Sequence, residues 1–165
     1  MSFLDSADDP KSAQRRPLLF FLIITGLVGA VGSVFTTPEI PTWYAALKHP
    51  AIAPPNWVFA PVWTTLYVVM AVAAWRVWRK TGSNSLEMKA FAIQLALNLA
   101  WSIIFFGRHQ IGAALIEIAV LTLAILATTI LFFRRDRLAG LLFVPYLGWV
   151  VFAAFLNRAF WQLNG

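Results

Sequence analysis

Polar residues spaced like one face of a helix are the groups in this sequence best suited to chemistry. Gln94, Asn98 and Ser102 recur every fourth residue inside an apolar segment, with Trp101 beside them, so in a helix they share one face. Amide and hydroxyl groups at membrane depth usually face a bundle interior or a cavity, where they can hydrogen-bond a ligand. The same spacing is typical of side chains that only hydrogen-bond neighbouring helices together. The pattern leaves both interpretations open.

Tryptophan is the second unusual feature, with eight copies that fall into two groups. Trp75, Trp78 and Trp161 lie near the ends of apolar segments, as expected for the aromatic belt of a membrane protein. The other five lie in a loop, at the start of a segment or deeper within one: Trp43, Trp57, Trp63, Trp101 and Trp149. These five predict the walls of a site for a flat hydrophobic ligand, with ordinary core packing as the alternative.

Neighbouring residues extend this aromatic surface. Tyr67 follows Trp63 by one helical turn, and Tyr146 and Ala153 flank Trp149 at helical spacing. Apolar walls with a few polar groups are typical of small-molecule sites. We therefore expect these residues to face the same pocket.

The residue sets that carry out most enzyme chemistry are missing from the sequence. It contains no cysteine, and its two histidines, His49 and His109, lie outside the apolar segments, which argues against haem ligation within a bilayer. No carboxylate pair, nucleophile–base set or phosphate loop is present, so we expect no metal and no resident cofactor. Glu117 is the one acid well inside an apolar segment; it is either functional or paired with Arg108 or Arg158, and we expect the pairing.

Composition indicates which elements position these residues. The apolar fraction is 60% and the charged fraction 12%, against about 25% charged residues in soluble domains. Five segments are long and apolar enough to cross a bilayer, which predicts an all-α fold, an integral membrane bundle of five transmembrane helices. The predicted parts are a polar extension (1–16) and a five-helix domain (17–165) with helices at about 18–36, 61–79, 88–107, 111–133 and 138–161 and a lid loop at 37–60.

Basic residues predict the orientation in the membrane. Ten of the 13 Lys and Arg residues fall on the side of the N-terminus, and Lys48, Arg108 and Arg158 fall on the other. Cytoplasmic loops carry the excess of Lys and Arg, so the N-terminus is expected in the cytoplasm and the 37–60 loop and C-terminus on the opposite side. The net charge of +6 then reflects topology, and no nucleic acid partner is expected.

Small residues recur on the first predicted helix. Gly26 with Ala30, and Gly29 with Ser33, are pairs four residues apart, which permit close approach of another helix. That helix could belong to a second copy in a homodimer or to the same chain. The sequence leaves both open.

Three blocks of sequence resemble the tryptophan-rich sensory protein family, which is also the translocator protein or peripheral-type benzodiazepine receptor family. They read WYAALKHPAIAPPNWVFAPVWTTLYVVM, QLALNLAWSIIFFGRHQIGAAL and AGLLFVPYLGWVVFAAFLN, and together they span about Trp43 to Asn157. The resemblance implies a five-helix bundle, commonly dimeric. It implies binding of tetrapyrroles such as protoporphyrin IX and of sterol-like or benzodiazepine-type ligands beneath the loop between the first two helices.

The resemblance also implies site residues. Those carried over by motif are Tyr44, Pro54, Trp63, Asn98, Trp101, Trp149 and Ala153. Some members are reported to degrade protoporphyrin in light, using tryptophans that match Trp63 and Trp149. The chain departs from the family pattern at Ile52, where relatives carry a loop tryptophan, and from animal members at Ala113 and Arg158. Cholesterol is therefore not expected as the natural ligand.

Residues and resemblance together predict a protein of a bacterial membrane that binds porphyrin or another flat hydrophobic ligand under the 37–60 loop, for transport, sensing or stress regulation. We expect Trp57 to tuck over the pocket as part of a rigid lid, and Tyr67, Gln94 and Tyr146 to join the site. One alternative is an enzyme that degrades protoporphyrin with light and oxygen. The other is a scaffold whose aromatic residues only pack.

Overall fold

Five long helices make up the bundle. The structure is a computed structural model that describes residues 10–165, with side chains from Arg16 onward, and it contains no strand in that range. The helices are α1 (Pro10–Thr36), α2 (Phe59–Thr81), α3 (Leu86–Ser102), α4 (Ile111–Arg135) and α5 (Arg137–Asn164). α1, α2, α4 and α5 each contain a stretch long and apolar enough to cross a membrane, and α3 does so together with the π-helical turn Ile103–Gly107 that continues it. The prediction of an all-α bundle of five transmembrane helices is confirmed.

Polar side chains cap α3 and α5, which begin one or two residues before their predicted bounds. The Ser85 hydroxyl accepts a hydrogen bond from the Met88 amide at 3.3 Å, and the Asp136 carboxylate accepts one from the Ala139 amide at 2.9 Å. Each such cap satisfies one of the free amides of the first helical turn. Helix α1 begins at Pro10, inside the predicted extension 1–16; residues 1–9 lie outside the described part of the chain.

Helix α1 is the most peripheral of the five. It packs against α2 and α3, whereas α5 packs against both α4 and α2. In the most apolar stretch of α1, only 17% of the residues are buried, against 28–33% in the corresponding stretches of the other helices. The other four helices therefore form the core, and α1 closes one side of it.

An ion-pair cluster ties the helices together at one end of the bundle. Arg76 and Lys80 of α2 contact the Asp136 carboxylate at 3.0 Å and 2.8 Å, and Arg135 contacts Glu87 at 2.6 Å. Burial alone would raise the pKa of the Asp136 carboxyl, but hydrogen bonds from Lys80, Arg76 and the Ala139 amide outweigh it and hold that pKa well below its ordinary value. Asp136 therefore stays ionised and fixes the corner between α4 and α5.

At the opposite end, the 37–60 loop is held on two sides. On one side, Asn164 of α5 accepts a hydrogen bond from the Lys48 amide at 2.8 Å and donates one to the Lys48 carbonyl at 3.1 Å. On the other, His109 lies 2.9 Å from Glu39, and its ring stacks on Trp43 with centroids 4.3 Å apart. The loop is thus anchored to both the α3–α4 turn and the end of α5.

Candidate functional site

A cavity of about 480 Å³ lies beneath the 37–60 loop. Its walls come from α1, α2, α3 and α5 together with residues of the loop, and α4 contributes no side chain to it. This volume lies within the range of small-molecule sites, roughly 300–1,000 Å³. The cavity is therefore large enough for a ligand and is placed where the sequence predicted one.

Most of the predicted site residues line this cavity. The ones that do are Tyr44, Trp63, Tyr67, Asn98, Trp101, Trp149 and Ala153. Gln94 and Tyr146 are fully buried and lie behind the wall. Pro54 and Trp57 are not part of the lining. The Trp57 side chain is 74% exposed and so does not tuck over the pocket as expected.

A chain of hydrogen bonds connects the cavity wall to the bundle interior. The Tyr67 hydroxyl donates to Asn98 Oδ1 at 2.7 Å, Asn98 Nδ2 donates to the Tyr146 hydroxyl at 3.1 Å, and that hydroxyl donates to Gln94 Oε1 at 2.9 Å. The polar face of α3 thus makes the hydrogen bonds between helices that its spacing allowed, and one of its residues also reaches the cavity. Asn98 lines the cavity, whereas Gln94 joins α3 to α5 out of reach of a ligand.

The tryptophans form rigid apolar walls. Trp63 packs on Tyr67 and Tyr146 with ring centroids 5.7 Å and 6.3 Å apart. Trp101 stacks on Phe105 at 5.1 Å, and its Nε1 donates to Asn157 Oδ1 at 3.1 Å. Because neighbouring rings and this hydrogen bond fix their orientation, these side chains need little ordering when a flat ligand packs on them.

Trp149 differs from Trp101 because its indole N–H is buried without an acceptor among the described residues. Its Nε1 is buried and makes no hydrogen bond within the described residues, although the ring lines the cavity and packs on Phe59 at 6.0 Å. An unpaired buried donor costs about 1–3 kcal/mol.

The cavity wall contributed by α1 consists of small residues, which the sequence did not identify as part of the site. A β-carbon at Gly29 would lie 2.7 Å from the Tyr67 ring, and one at Gly32 would lie 3.4 Å from the Ser102 hydroxyl. The spacing of small residues on α1 had predicted the close approach of another helix. The side chains that approach Gly29 and Gly32 belong to α2 and α3 of the same chain. Along the seam between α1 and α2, Gly26 and Val68 line the cavity and remain exposed.

Tyr44 closes the loop end of the cavity. Its ring is buried against Phe106 and Phe160, with centroids 5.8 Å and 5.2 Å away. Burial raises the pKa of the Tyr44 hydroxyl to about 12, so this group stays protonated at physiological pH. It is therefore a hydrogen-bond donor and not an anion at the cavity mouth.

The expected pairing of Glu117 is wrong. Both carboxylate oxygens are buried and make no hydrogen bond within the described residues, and neither Arg108 nor Arg158 pairs with them. Both arginines are exposed at the bundle end instead. Helical spacing alone cannot predict the direction of these long side chains. Glu117 also lies outside the cavity lining, so it is not part of this site.

The positions that depart from the family pattern also lie outside the cavity lining. Ile52 is 54% exposed, and Ala113 and Arg158 are exposed. Among the described residues, no three His, Cys, Asp or Glu side chains are grouped closely enough to hold a metal ion. The site's chemistry thus consists of apolar stacking with a few hydrogen bonds.

Comparison with known proteins gives consistent matches. The sequence pattern of the TspO/MBR family matches residues 20–162. The chain is 43% identical over 157 residues to the tryptophan-rich protein TspO of Chlorobaculum tepidum, covering 91% of this chain and 99% of that protein. It is 41% identical over 138 residues to the protein of the same name from Archaeoglobus fulgidus, covering 83% and 90%. It is 38% identical over 152 residues to the human translocator protein, covering 90% of each chain.

Proposed function

This chain belongs to the TspO/MBR family of multi-pass membrane proteins, and on that premise we propose that it binds protoporphyrin IX or another flat hydrophobic ligand in the cavity under the 37–60 loop. The observation that carries the proposal is the set of three tryptophans, Trp63, Trp101 and Trp149, around one cavity of about 480 Å³. Indole rings offer large, rigid apolar surfaces. A planar macrocycle can stack on them with little loss of side-chain entropy.

Polar groups on the cavity wall would orient the ligand. The protonated Tyr44 hydroxyl is a donor on the cavity wall, and a porphyrin propionate would supply a matching acceptor oxygen. Charge-assisted hydrogen bonds of this kind are stronger than neutral ones. Asn98 is already engaged by Tyr67 and Tyr146, so its proposed role is to hold the wall in place.

Transport, sensing or stress regulation across a bacterial membrane would follow from such binding, with the N-terminus in the cytoplasm and the 37–60 loop on the opposite side. The clustering of Arg76, Lys80 and Arg135 at one end supports that orientation. A homodimer remains part of the proposal. Its interface would not use Gly29 and Gly32, since these face Tyr67 and Ser102 of the same chain.

The test is titration of the purified protein with protoporphyrin IX in the dark, followed by tryptophan fluorescence and porphyrin absorbance. The double variant Trp63→Phe/Trp149→Phe should weaken binding by about tenfold or more, because buried aromatic anchors dominate such sites. Trp161→Phe is the matched control, because Trp161 is 47% exposed and outside the cavity. Absence of saturable binding, or an equal loss of affinity in the double variant and in Trp161→Phe, would overturn the proposal.

Light-dependent breakdown of protoporphyrin is the second candidate. The placement of Trp63 and Trp149 on the same cavity favours it, since both indoles would then contact one porphyrin. The titration is repeated under illumination with oxygen, and loss of the porphyrin absorption band is followed. Faster loss with wild type than with the double variant at matched occupancy supports turnover. Equal bleaching of free porphyrin refutes it.

A further inference from the structure

An open trough lies at the corner between α4 and α5, at the end of the bundle away from the 37–60 loop. Ile130, Phe133 and Arg134 contribute to it from the last turns of α4, and Arg137 and Leu141 from the first turns of α5. Residues 130 and 134 are one helical turn apart, as are 137 and 141, so each helix presents one arginine and one aliphatic side chain to the trough.

The fold fixes the shape of this trough. Asp136 is the single extended residue between the two helices, and its carboxylate caps α5 while contacting Arg76 and Lys80. The Phe133 ring lies directly against Gly140, where a β-carbon would overlap it. The two arginines are thus held on either side of a rigid corner, and Phe133 forms the apolar surface between the helices.

The arginines of the trough have no acidic partner among the described residues. Arg134 and Arg137 are exposed, and neither makes an ion pair or a side-chain hydrogen bond within residues 16–165. Asp136 and Glu87, the acids that form ion pairs at this end of the bundle, are already paired with Arg76, Lys80 and Arg135. Within residues 16–165 the trough therefore carries positive charge that no ion pair offsets, which favours an anion.

Apolar side chains beside the arginines select the kind of anion. Ile130, Phe133 and Leu141 are 45%, 37% and 56% exposed. Ile130 and Leu141 lie one helical turn further into the membrane-spanning helices than Arg134 and Arg137, and Phe133 directly precedes Arg134. A soluble phosphate would bind only the guanidiniums and leave this apolar surface uncovered. An acyl chain would cover it.

We propose that this trough binds one anionic phospholipid, with the phosphodiester between Arg134 and Arg137 and an acyl chain along Ile130, Phe133 and Leu141. Guanidinium groups bind phosphate oxygens with paired hydrogen bonds. Basic pockets between membrane helices are known sites for anionic headgroups. The site is separate from the cavity of the proposed function and does not depend on it.

The test compares lipids by native mass spectrometry of the full chain in a neutral detergent. Wild type should retain dioleoylphosphatidylglycerol and not dioleoylphosphatidylcholine. Arg134→Gln and Arg137→Gln should each lower retention by about fivefold, and the double variant by about twenty-five-fold, as expected for one basic contact each. Lys89→Gln removes an exposed charge outside the trough and should change retention less than twofold.

Two further arms distinguish the alternatives. Phe133→Ala keeps both arginines and should reduce retention of the lipid, whereas inorganic phosphate at millimolar concentration should not displace it. Equal retention of phosphatidylcholine, an equal effect of Lys89→Gln, or displacement by phosphate alone would overturn the proposal. Helix content by circular dichroism is measured for each variant, and Arg134→Lys, which keeps the charge, should retain more lipid than Arg134→Gln if folding is intact.

Discussion

The contact between Gly29 and Tyr67 gives the sharpest prediction from this structure. In Gly29→Ala, the new β-carbon would lie 2.7 Å and 2.9 Å from two carbons of the Tyr67 ring, about 0.7 Å short of the 3.4 Å at which ordinary contact begins. The ring cannot yield freely, since its hydroxyl donates to Asn98 at 2.7 Å. Either α1 moves away from α2, or Tyr67 moves and that hydrogen bond breaks.

The magnitude follows from these two costs. Overpacking of a well-filled site costs about 1–3 kcal/mol, and loss of a hydrogen bond about 1 kcal/mol. Replacing a glycine by alanine within a helix stabilises the folded state by about 0.5–1 kcal/mol, which offsets part of these costs. We expect Gly29→Ala to lower the free energy of unfolding by about 1–3 kcal/mol net. It should also weaken porphyrin binding, because Tyr67 lines the cavity.

Gly26→Ala is the matched control. Gly26 lies on the same helix and the same cavity wall, but a β-carbon there meets nothing within 4 Å. This variant should be as stable as wild type or more stable by about 0.5–1 kcal/mol. Both are measured by reversible unfolding in mixed micelles, following helical circular dichroism. Independent mutations change stability additively to within about 0.5 kcal/mol. If the free energies of unfolding of the two variants differ by less than that, the close approach of α1 and α2 is refuted.

Three further predictions concern buried polar groups. Tyr146→Phe removes a hydroxyl that bonds both Asn98 and Gln94, and should lower the free energy of unfolding by about 1–2 kcal/mol; a loss no greater than that of Tyr67→Phe would contradict the hydrogen-bond chain. Glu117→Gln removes an unpaired buried carboxylate and should be neutral or raise the melting temperature; a clear loss of stability would show that the carboxylate has a partner. The lowered pKa of Asp136 contributes stability that is present above the ordinary carboxyl pKa of about 4 and is lost as pH falls below it. The stability difference between wild type and Asp136→Asn should therefore be constant above about pH 5 and shrink steadily as the pH falls below about 4, and a difference that does not shrink in acid would contradict this.

Sequence reasoning predicted the helices because their apolar length is a local property. It also placed Trp63, Asn98 and Trp149 on one cavity, since helical spacing and the quoted motifs determine which residues share a face. It did not predict that Trp57 would be exposed. The direction of a loop side chain depends on how the loop is anchored, here through Asn164 and His109, which are distant in sequence.

Two other results depended on contacts that no local pattern contains. Glu117 was expected to pair with Arg108 or Arg158, yet its oxygens are buried without a partner among the described residues. Gly29 belongs to the cavity wall because Tyr67 of another helix approaches it. A spacing of small residues indicates that something packs closely, but it does not identify the partner.

The exposed seam between α1 and α2 changes how binding must be quantified. Both helices are membrane spans, so the medium that contacts Gly26 and Val68 in a bilayer is lipid hydrocarbon rather than water. The proposed hydrophobic ligand would partition into that phase before it reached the cavity. Occupancy would then be governed by the mole fraction of ligand in the lipid, and a dissociation constant expressed per volume of water would rise as more lipid is added. Titrations at several lipid-to-protein ratios should superimpose only when plotted against ligand per lipid.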